Sequence, residues 1–113
     1  MKLSEIIETL RLEIRTAANR LDVDVTRGYA SDLMSDVMAN ANEGDLWVTL
    51  QVHQNIVAVA VMRSLAGIIL VNGREPDDET IRKAEAEEVP IMISKISTFE
   101  LVGKLFELGI SGT

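Results

Sequence analysis

Apolar and polar residues follow one another along this chain with two different periods. Between residues 6 and 10 the apolar residues recur at helical spacing, and Ser4, a residue typical of helix N-caps, precedes them. This pattern predicts a first helix. The stretches 12–16 and 21–25 alternate between apolar and polar residues, which predicts two short strands that each have one solvated face. A turn is predicted at residues 27–29.

From residue 29 onward the pattern predicts helices and strands in alternation. Ser31 or Asp32 is expected to cap a helix over residues 33–41. The further elements are a strand at 46–50, a strand at 67–71, a helix over 77–88, a strand at 89–94 and a helix from the capping box at 97–100 to residue 109. Strands joined by helical crossovers form a mainly parallel sheet. The predicted fold class is therefore α/β, with a single compact domain over residues 1–113.

Residues 55–65 are largely apolar and allow two interpretations. Ile56, Val57 and Val59 favour a strand, whereas Ala58 and the length of about eleven residues favour a helix. We prefer the helix. Because it would be apolar all round, both of its faces need cover, from a second layer or from a partner subunit. A homodimer is accordingly expected.

The composition excludes more functions than it selects. The chain has 113 residues, of which 47% are hydrophobic and 26% charged, as in a globular domain with one core. Its net charge of -7 argues against a nucleic-acid partner and against an anionic membrane surface. It has no cysteine and one histidine, so neither a metal site nor a cofactor is expected.

Targeting segments and the common catalytic motifs are not found in the sequence. The first residues lack the apolar core of a signal peptide, and the longest apolar run, residues 56–62, is far shorter than the roughly 20 residues of a spanning helix. A cytoplasmic location is the default prediction. There is no phosphate-binding P-loop, no dinucleotide-binding G-x-G-x-x-G after a strand and no G-x-S-x-G nucleophile elbow.

Short polar residues and glycines concentrate where the predicted strands end. In an open parallel sheet, ligands bind beyond the carboxyl ends of the strands, where helix N-termini point. At this edge, called the rim below, we expect a site for a small anionic ligand such as a nucleotide, or for a protein partner. The candidate residues are Arg27, Gly28, Ser31, Asp32, Gln51, His53, Asn55, Asn72, Gly73, Ser97 and Thr98. Helix caps and turns alone would explain these residues nearly as well.

Three chemical alternatives remain at the rim. His53 could act as a general base with Asp32 or Asp36 in a small phosphotransferase, although a hydrogen-bonded loop histidine fits the sequence better. Asp32 and Asp36 could also hold a hard cation. The simpler interpretation is that they cap the helix and lie on its solvated face. A cationic mouth for a phosphate could be formed by Arg27, Arg74 and Lys95.

The stretches 28–41, 51–60, 68–73 and 97–100 together resemble the DRTGG-domain family, over nearly the full length of the chain. The resemblance is to single-domain members and implies an α/β regulatory or accessory domain without established catalytic residues. Similar domains accompany CBS domains, phosphotransacetylases and cobyrinate-synthase-like domains.

The resemblance also extends to the N-terminal domain of HPr kinase/phosphorylase, whose kinase chemistry belongs to a separate P-loop domain. The string D-R-T-G-G does not occur in this chain. Arg27 stands where close relatives have a second glycine before Gly28, and its side chain restricts both the backbone and the close approach of an anion. The resemblance thus implies a non-enzymatic regulatory role.

Overall fold

The computed structural model describes all 113 residues and places one five-stranded sheet between two layers of helices. In chain order the elements are α1 (Leu3–Leu10), β1 (Glu13–Thr16), a short 3-10 helix (Ala18–Arg20), β2 (Gly28–Ala30), α2 (Met34–Asn40), β3 (Leu46–Thr49), α3 (Asn55–Arg63), β4 (Gly67–Leu70), α4 (Asp78–Glu87), β5 (Ile91–Ile93) and α5 (Thr98–Glu107). The strand order is β1-β5-β4-β3-β2, and only the β1–β5 pair is antiparallel. The prediction of a mainly parallel α/β sheet is confirmed.

Two separate cores explain why the central strands are apolar throughout. Every residue of β3, β4 and β5 is buried, because helices cover both faces of the sheet. On one face α1 and α5 pack against side chains such as Val48 and Met92. On the other face α2, α3 and α4 pack around Trp47 and Ile68.

The four parallel strands, β2 to β5, are added to the sheet in one direction only. From β2 to β5, each strand is added beside the preceding one. The three helices that make these crossovers, α2, α3 and α4, all bury their apolar residues in the same core. The strand order therefore does not reverse anywhere within the parallel strands.

The predicted strand at residues 21–25 is wrong. The carbonyl oxygens of Val23 and Leu21 accept hydrogen bonds of 2.9 Å from the N–H groups of Leu3 and Ser4. These residues therefore satisfy the first turn of α1, and only one isolated bridge, Lys2 to Asp24, forms. Ser4 is not the cap either, since α1 begins at Leu3 with Lys2 in the N-cap position.

The turn predicted at residues 27–29 is also wrong, because Gly28–Ala30 is the edge strand β2. Part of the outer edge of β2 forms backbone hydrogen bonds with residues 111–113. Gly28 donates its N–H to the carbonyl of Ser111 at 2.9 Å and accepts at its own carbonyl from the N–H of Thr113 at 3.1 Å. Nothing local in the sequence reveals this pairing, since the partners are more than eighty residues apart.

The ambiguous segment 55–65 forms the helix α3, as preferred from the sequence. The sheet, α2 and α4 cover its buried residues, which include Ile56 and Ala60. The helix layer and the sheet cover only one side of α3, because Val61 and Met62 are 44% and 68% exposed in the single chain.

Candidate functional site

The rim is formed by the loops that follow β2, β3, β4 and β5. Nine of the predicted residues follow the ends of these strands: Ser31, Asp32, Gln51, His53, Asn55, Asn72, Gly73, Ser97 and Thr98. Arg27 and Gly28 lie instead at the amino end of β2, because that strand begins where a turn had been predicted. There the Arg27 guanidinium donates to the carbonyl of Gly112 at 3.3 Å. Their predicted place at the rim is therefore wrong.

Asp32 joins the loops after β2 and β3. Its Oδ1 accepts a 2.9 Å hydrogen bond from the hydroxyl of Thr49 and a 2.7 Å bond from the N–H of Leu50. The side-chain amide of Gln51 donates to the Asp32 carbonyl at 2.8 Å. Asp32 is thus held in place by several donors and does not cap α2. The N-cap position of α2 is Leu33, and no side chain caps this helix.

A second carboxylate, Asp36, is enclosed by neighbours on β2 and α2. The phenol of Tyr29 donates to it at 2.9 Å, and the amide of Asn40 donates at 2.9 Å. Hydrogen bonds from Ser31 and then from Tyr29 lower the pKa of Asp36, while the same carboxylate raises the pKa of Tyr29. These contacts indicate a structural anchor for the start of α2.

The predicted catalytic pairing of His53 does not form. The imidazole Nδ1 of His53 lies 3.4 Å from the carboxylate of Asp77, and the side chain is 72% exposed. Asp32 and Asp36 are engaged by the donors described above, and neither makes a hydrogen bond or an ion pair with His53. A general base positioned by either of these carboxylates is therefore not built into this site.

The expected cationic mouth is not assembled either. Arg27 is at the opposite end of the sheet, and the ammonium of Lys95 lies 3.7 Å from the carboxylate of Glu13. Arg15, a residue the sequence did not single out, makes a two-pronged contact with Glu75 in which both distances are 2.7 Å. This contact raises the pKa of Arg15 and lowers that of Glu75.

The polar residues at the other two loops have evident structural roles. Asn72 and Gly73 both have positive φ angles, 57° and 66°. Their N–H groups donate to the carbonyls of Ile96 and Ser94 at 2.9 and 2.8 Å, which ties the loop after β4 to the loop after β5. Ser97 caps α5 as predicted, by accepting a hydrogen bond from the N–H of Glu100 at 3.3 Å.

The rim has polar groups but neither of the two principal cavities. The two principal cavities lie elsewhere: one of about 240 Å³ between β2, α5 and residues 110–113, and one of about 210 Å³ over α3 and α4. The loops after β4 and β5 lead to helices on opposite faces of the sheet, α4 and α5, and the hydrogen bonds of Asn72 and Gly73 tie these two loops together.

Sequence reasoning missed the most exposed apolar surface, which lies on α5. Phe99, Val102 and Phe106 are 88%, 39% and 68% exposed, and Val102 and Phe106 also line the larger cavity. Their spacing of three and four residues was visible in the sequence. It was obscured because Leu101 and Leu105 carry a second apolar face on the same helix.

Comparisons with known proteins agree on one family. The family model of the DRTGG domain matches residues 5–108. A crystal structure of the CBS and DRTGG domains of the regulatory region of Clostridium perfringens pyrophosphatase, complexed with the activator diadenosine tetraphosphate, is similar with a TM-score of 0.75 and 18% sequence identity. The match covers 97% of this chain and 47% of that one, so this chain spans about half of the matched structure. The chain matches no curated protein sequence.

Two further properties bear on the function. No helix is long and apolar enough to span a membrane. No group of three or more histidine, aspartate and glutamate side chains is close enough to hold a metal ion.

Proposed function

Since the chain belongs to the DRTGG-domain family, whose domains are regulatory and not catalytic, we propose that it is a regulatory interaction module that docks a protein partner at the rim. We further propose that it does so as a homodimer in the cytoplasm. The residues that would contact the partner are the exposed side chains of the rim loops, above all His53, Arg74 and Lys95.

The observation that carries this proposal is a polar rim that is ordered and lies away from both principal cavities. Small-molecule sites are concave and bury most of their ligand, whereas the two principal cavities lie elsewhere on the protein. The rim loops are held in place by the Asp32 and Asn72 contacts. A preformed polar surface is suited to a protein partner, which can bury area without entering a pocket.

The test compares two pairs of cation removals that change the net charge equally. The rim variant carries Arg74→Ala and Lys95→Ala, and the matched control carries Arg27→Ala and Lys83→Ala, which lie away from the rim. Proteins retained from the source cells by each variant are quantified, and a protein lost only with the rim variant is then purified and titrated directly. We expect the rim variant alone to lose affinity in that titration.

A partner that binds both double variants equally would refute docking at the rim. If no retained protein distinguishes the rim variant from the control, the proposal is likewise refuted. Both double variants should melt at similar temperatures, because none of the four side chains is buried.

A nucleotide is the second candidate, because the similar pyrophosphatase region was solved with diadenosine tetraphosphate. Thermal melting with diadenosine tetraphosphate and with adenine and guanine nucleotides tests it. A ligand at one hundred times its dissociation constant would stabilise the fold by about 2.7 kcal/mol. A shift that the Arg74→Ala, Lys95→Ala variant abolishes would favour this candidate, and no shift with any nucleotide would refute it.

A further inference from the structure

One face of α5 is an apolar stripe without a partner in this chain. The α5 stripe consists of Phe99, Val102, Gly103 and Phe106, which share one side of the helix by their spacing. Leu101 and Leu105, on the opposite side, are the residues that fix α5 to the sheet. The two phenylalanines are 88% and 68% exposed, so the fold of a single chain leaves most of their surface in water.

Gly103 at the middle of this stripe has no explanation within the chain. A Cβ atom placed there would meet nothing within 4 Å, so the fold does not require the absence of a side chain. Glycine in a helix interior is destabilising relative to alanine. What a glycine does permit at an outward position is the close approach of another backbone.

The stripe is symmetric about its centre. Phe99 lies three residues before Val102, and Phe106 lies three residues after Gly103. A second α5 that runs antiparallel across this midpoint would bring the second copy's Phe106 opposite Phe99, and its Phe99 opposite Phe106. Such a two-fold contact uses one patch twice, and a symmetric patch with a glycine at its centre is what that contact needs.

We propose that the α5 stripe is the surface by which two copies of this chain associate, with the two α5 helices antiparallel and Gly103 at their closest approach. The inference rests on the homodimer proposed above and names its interface. The beginning of each α5 then lies beside the other copy's cavity of about 240 Å³, which Val102 and Phe106 line. An apolar cavity of about 150 Å³ already accepts benzene, so this space has room for an aromatic ring.

The exposed aromatic rings of the α5 stripe supply part of the area that a dimer needs. Aromatic side chains present about 150–250 Å² each, so the exposed fractions of the four rings of two copies supply roughly 500–800 Å². Val102, Gly103 and the cavity walls add to this. Specific interfaces begin at a total of about 1,200 Å², so residues around the stripe must supply the remainder.

The experiment is sedimentation equilibrium of the whole chain from low to high micromolar concentration. The wild type should reach twice the 12.4 kDa of one chain. Phe99→Ser and Phe106→Ser should each raise the dimer dissociation constant by about tenfold or more. Met62→Ser is the matched control, because Met62 is as exposed as Phe106, at 68%, but lies on α3. It should leave the dissociation constant unchanged.

Gly103→Ala separates an interface from a merely structural role. At concentrations where the chain is monomeric, this variant should melt higher than the wild type, since alanine favours a helix. At the same time its dimer dissociation constant should rise, since a methyl group would hold the two helices apart. A change that helps the monomer and harms the dimer is expected only if Gly103 lies in the contact.

The remaining outcomes refute the proposal in distinguishable ways. A wild type that stays monomeric throughout the concentration range refutes the homodimer itself. A dimer that persists in the Phe99, Phe106 and Gly103 variants leaves the homodimer intact and refutes the α5 interface. A dimer lost in Met62→Ser, with the α5 variants unaffected, would place the contact on α3 instead.

Discussion

Replacing Asp32 with alanine should destabilise the fold although the residue is at the surface. Its carboxylate accepts hydrogen bonds from the hydroxyl of Thr49 and from the N–H of Leu50. Hydrogen bonds to a charged group contribute about 1.5–3 kcal/mol, and a buried donor left unpaired costs about 1–3 kcal/mol. Thr49 is only 1% exposed, so its hydroxyl could not readily turn to water. Because the carboxylate itself is accessible to solvent, we expect a loss near the lower end, about 2 kcal/mol.

Urea denaturation followed by tryptophan fluorescence measures this loss at the site itself. Trp47 is the only tryptophan and is fully buried. Its indole N–H donates to the carbonyl of Ser31 at 2.9 Å, next to Asp32. The midpoint of Asp32→Ala should fall while the slope of the transition is unchanged, because the surface exposed on unfolding stays the same. Asp22→Ala serves as the control, since Asp22 is exposed and makes no hydrogen bond or ion pair through its side chain.

A double-mutant cycle with Thr49→Val identifies the contact responsible. If the Asp32–Thr49 hydrogen bond contributes as argued, the double variant should lose less free energy of unfolding than the two single variants lose together. The difference should be about 1 kcal/mol. Additive losses would show that the two side chains are not coupled. A loss no larger than that of Asp22→Ala would refute the reasoning altogether.

Three further predictions concern packing and charge. Leu101→Ala should cost about 2–5 kcal/mol in urea denaturation, since Leu101 is fully buried. Glu75→Gln should destabilise the fold at pH 7 by at most about 1 kcal/mol, because its ion pair with Arg15 is partly exposed. The loss is measured as a lower melting temperature. The Arg15 contact lowers the pKa of Glu75. The difference in stability between Glu75→Gln and wild type should therefore be present at pH values above the ordinary pKa of a glutamate. It should vanish as the pH falls through the lowered pKa of Glu75 in the folded protein. Tyr29→Phe should raise the pKa of Asp36 in an NMR titration, because one of its donors is lost.

Each of these predictions has an outcome that contradicts it. A Leu101→Ala variant within 1 kcal/mol of wild type would mean that the α5 side of the core repacks freely. A Glu75→Gln difference that grows in acid would show that the ion pair does not stabilise the folded state. An Asp36 whose titration does not move in Tyr29→Phe would mean that the phenol does not donate to it in solution.

The elements from residue 46 to residue 107 were predictable because their signals are local. Strands β3 and β4 are continuous apolar runs, and α5 begins at the capping serine Ser97. The two wrongly predicted elements, the strand at 21–25 and the turn at 27–29, lie where the backbone partners are distant. The carbonyl of Val23 serves α1, and Gly28 pairs with residues beyond 110. No period in the local sequence distinguishes a strand from an extended segment that binds such distant partners.

The candidate site was predictable in position but not in shape. That Asp32 and Thr49 would meet follows from the parallel strands that precede them. That both principal cavities lie away from the rim depends on the whole topology and not on any motif. The structural partners of Asp36 and His53 were equally hidden, because Tyr29 and Asp77 contact them only after folding.

The pairing of β2 with the end of the chain has a consequence for the protein's tendency to aggregate. An open edge strand is a template on which another chain can add a strand, and long exposed edges are a common start of intermolecular sheet growth. Here the two hydrogen bonds between Gly28 and residues 111–113 occupy the amino half of that edge, and β2 is only three residues long. Few unpaired backbone groups are then left for templated growth at this edge, and the residues that cover it lie outside every regular helix and strand.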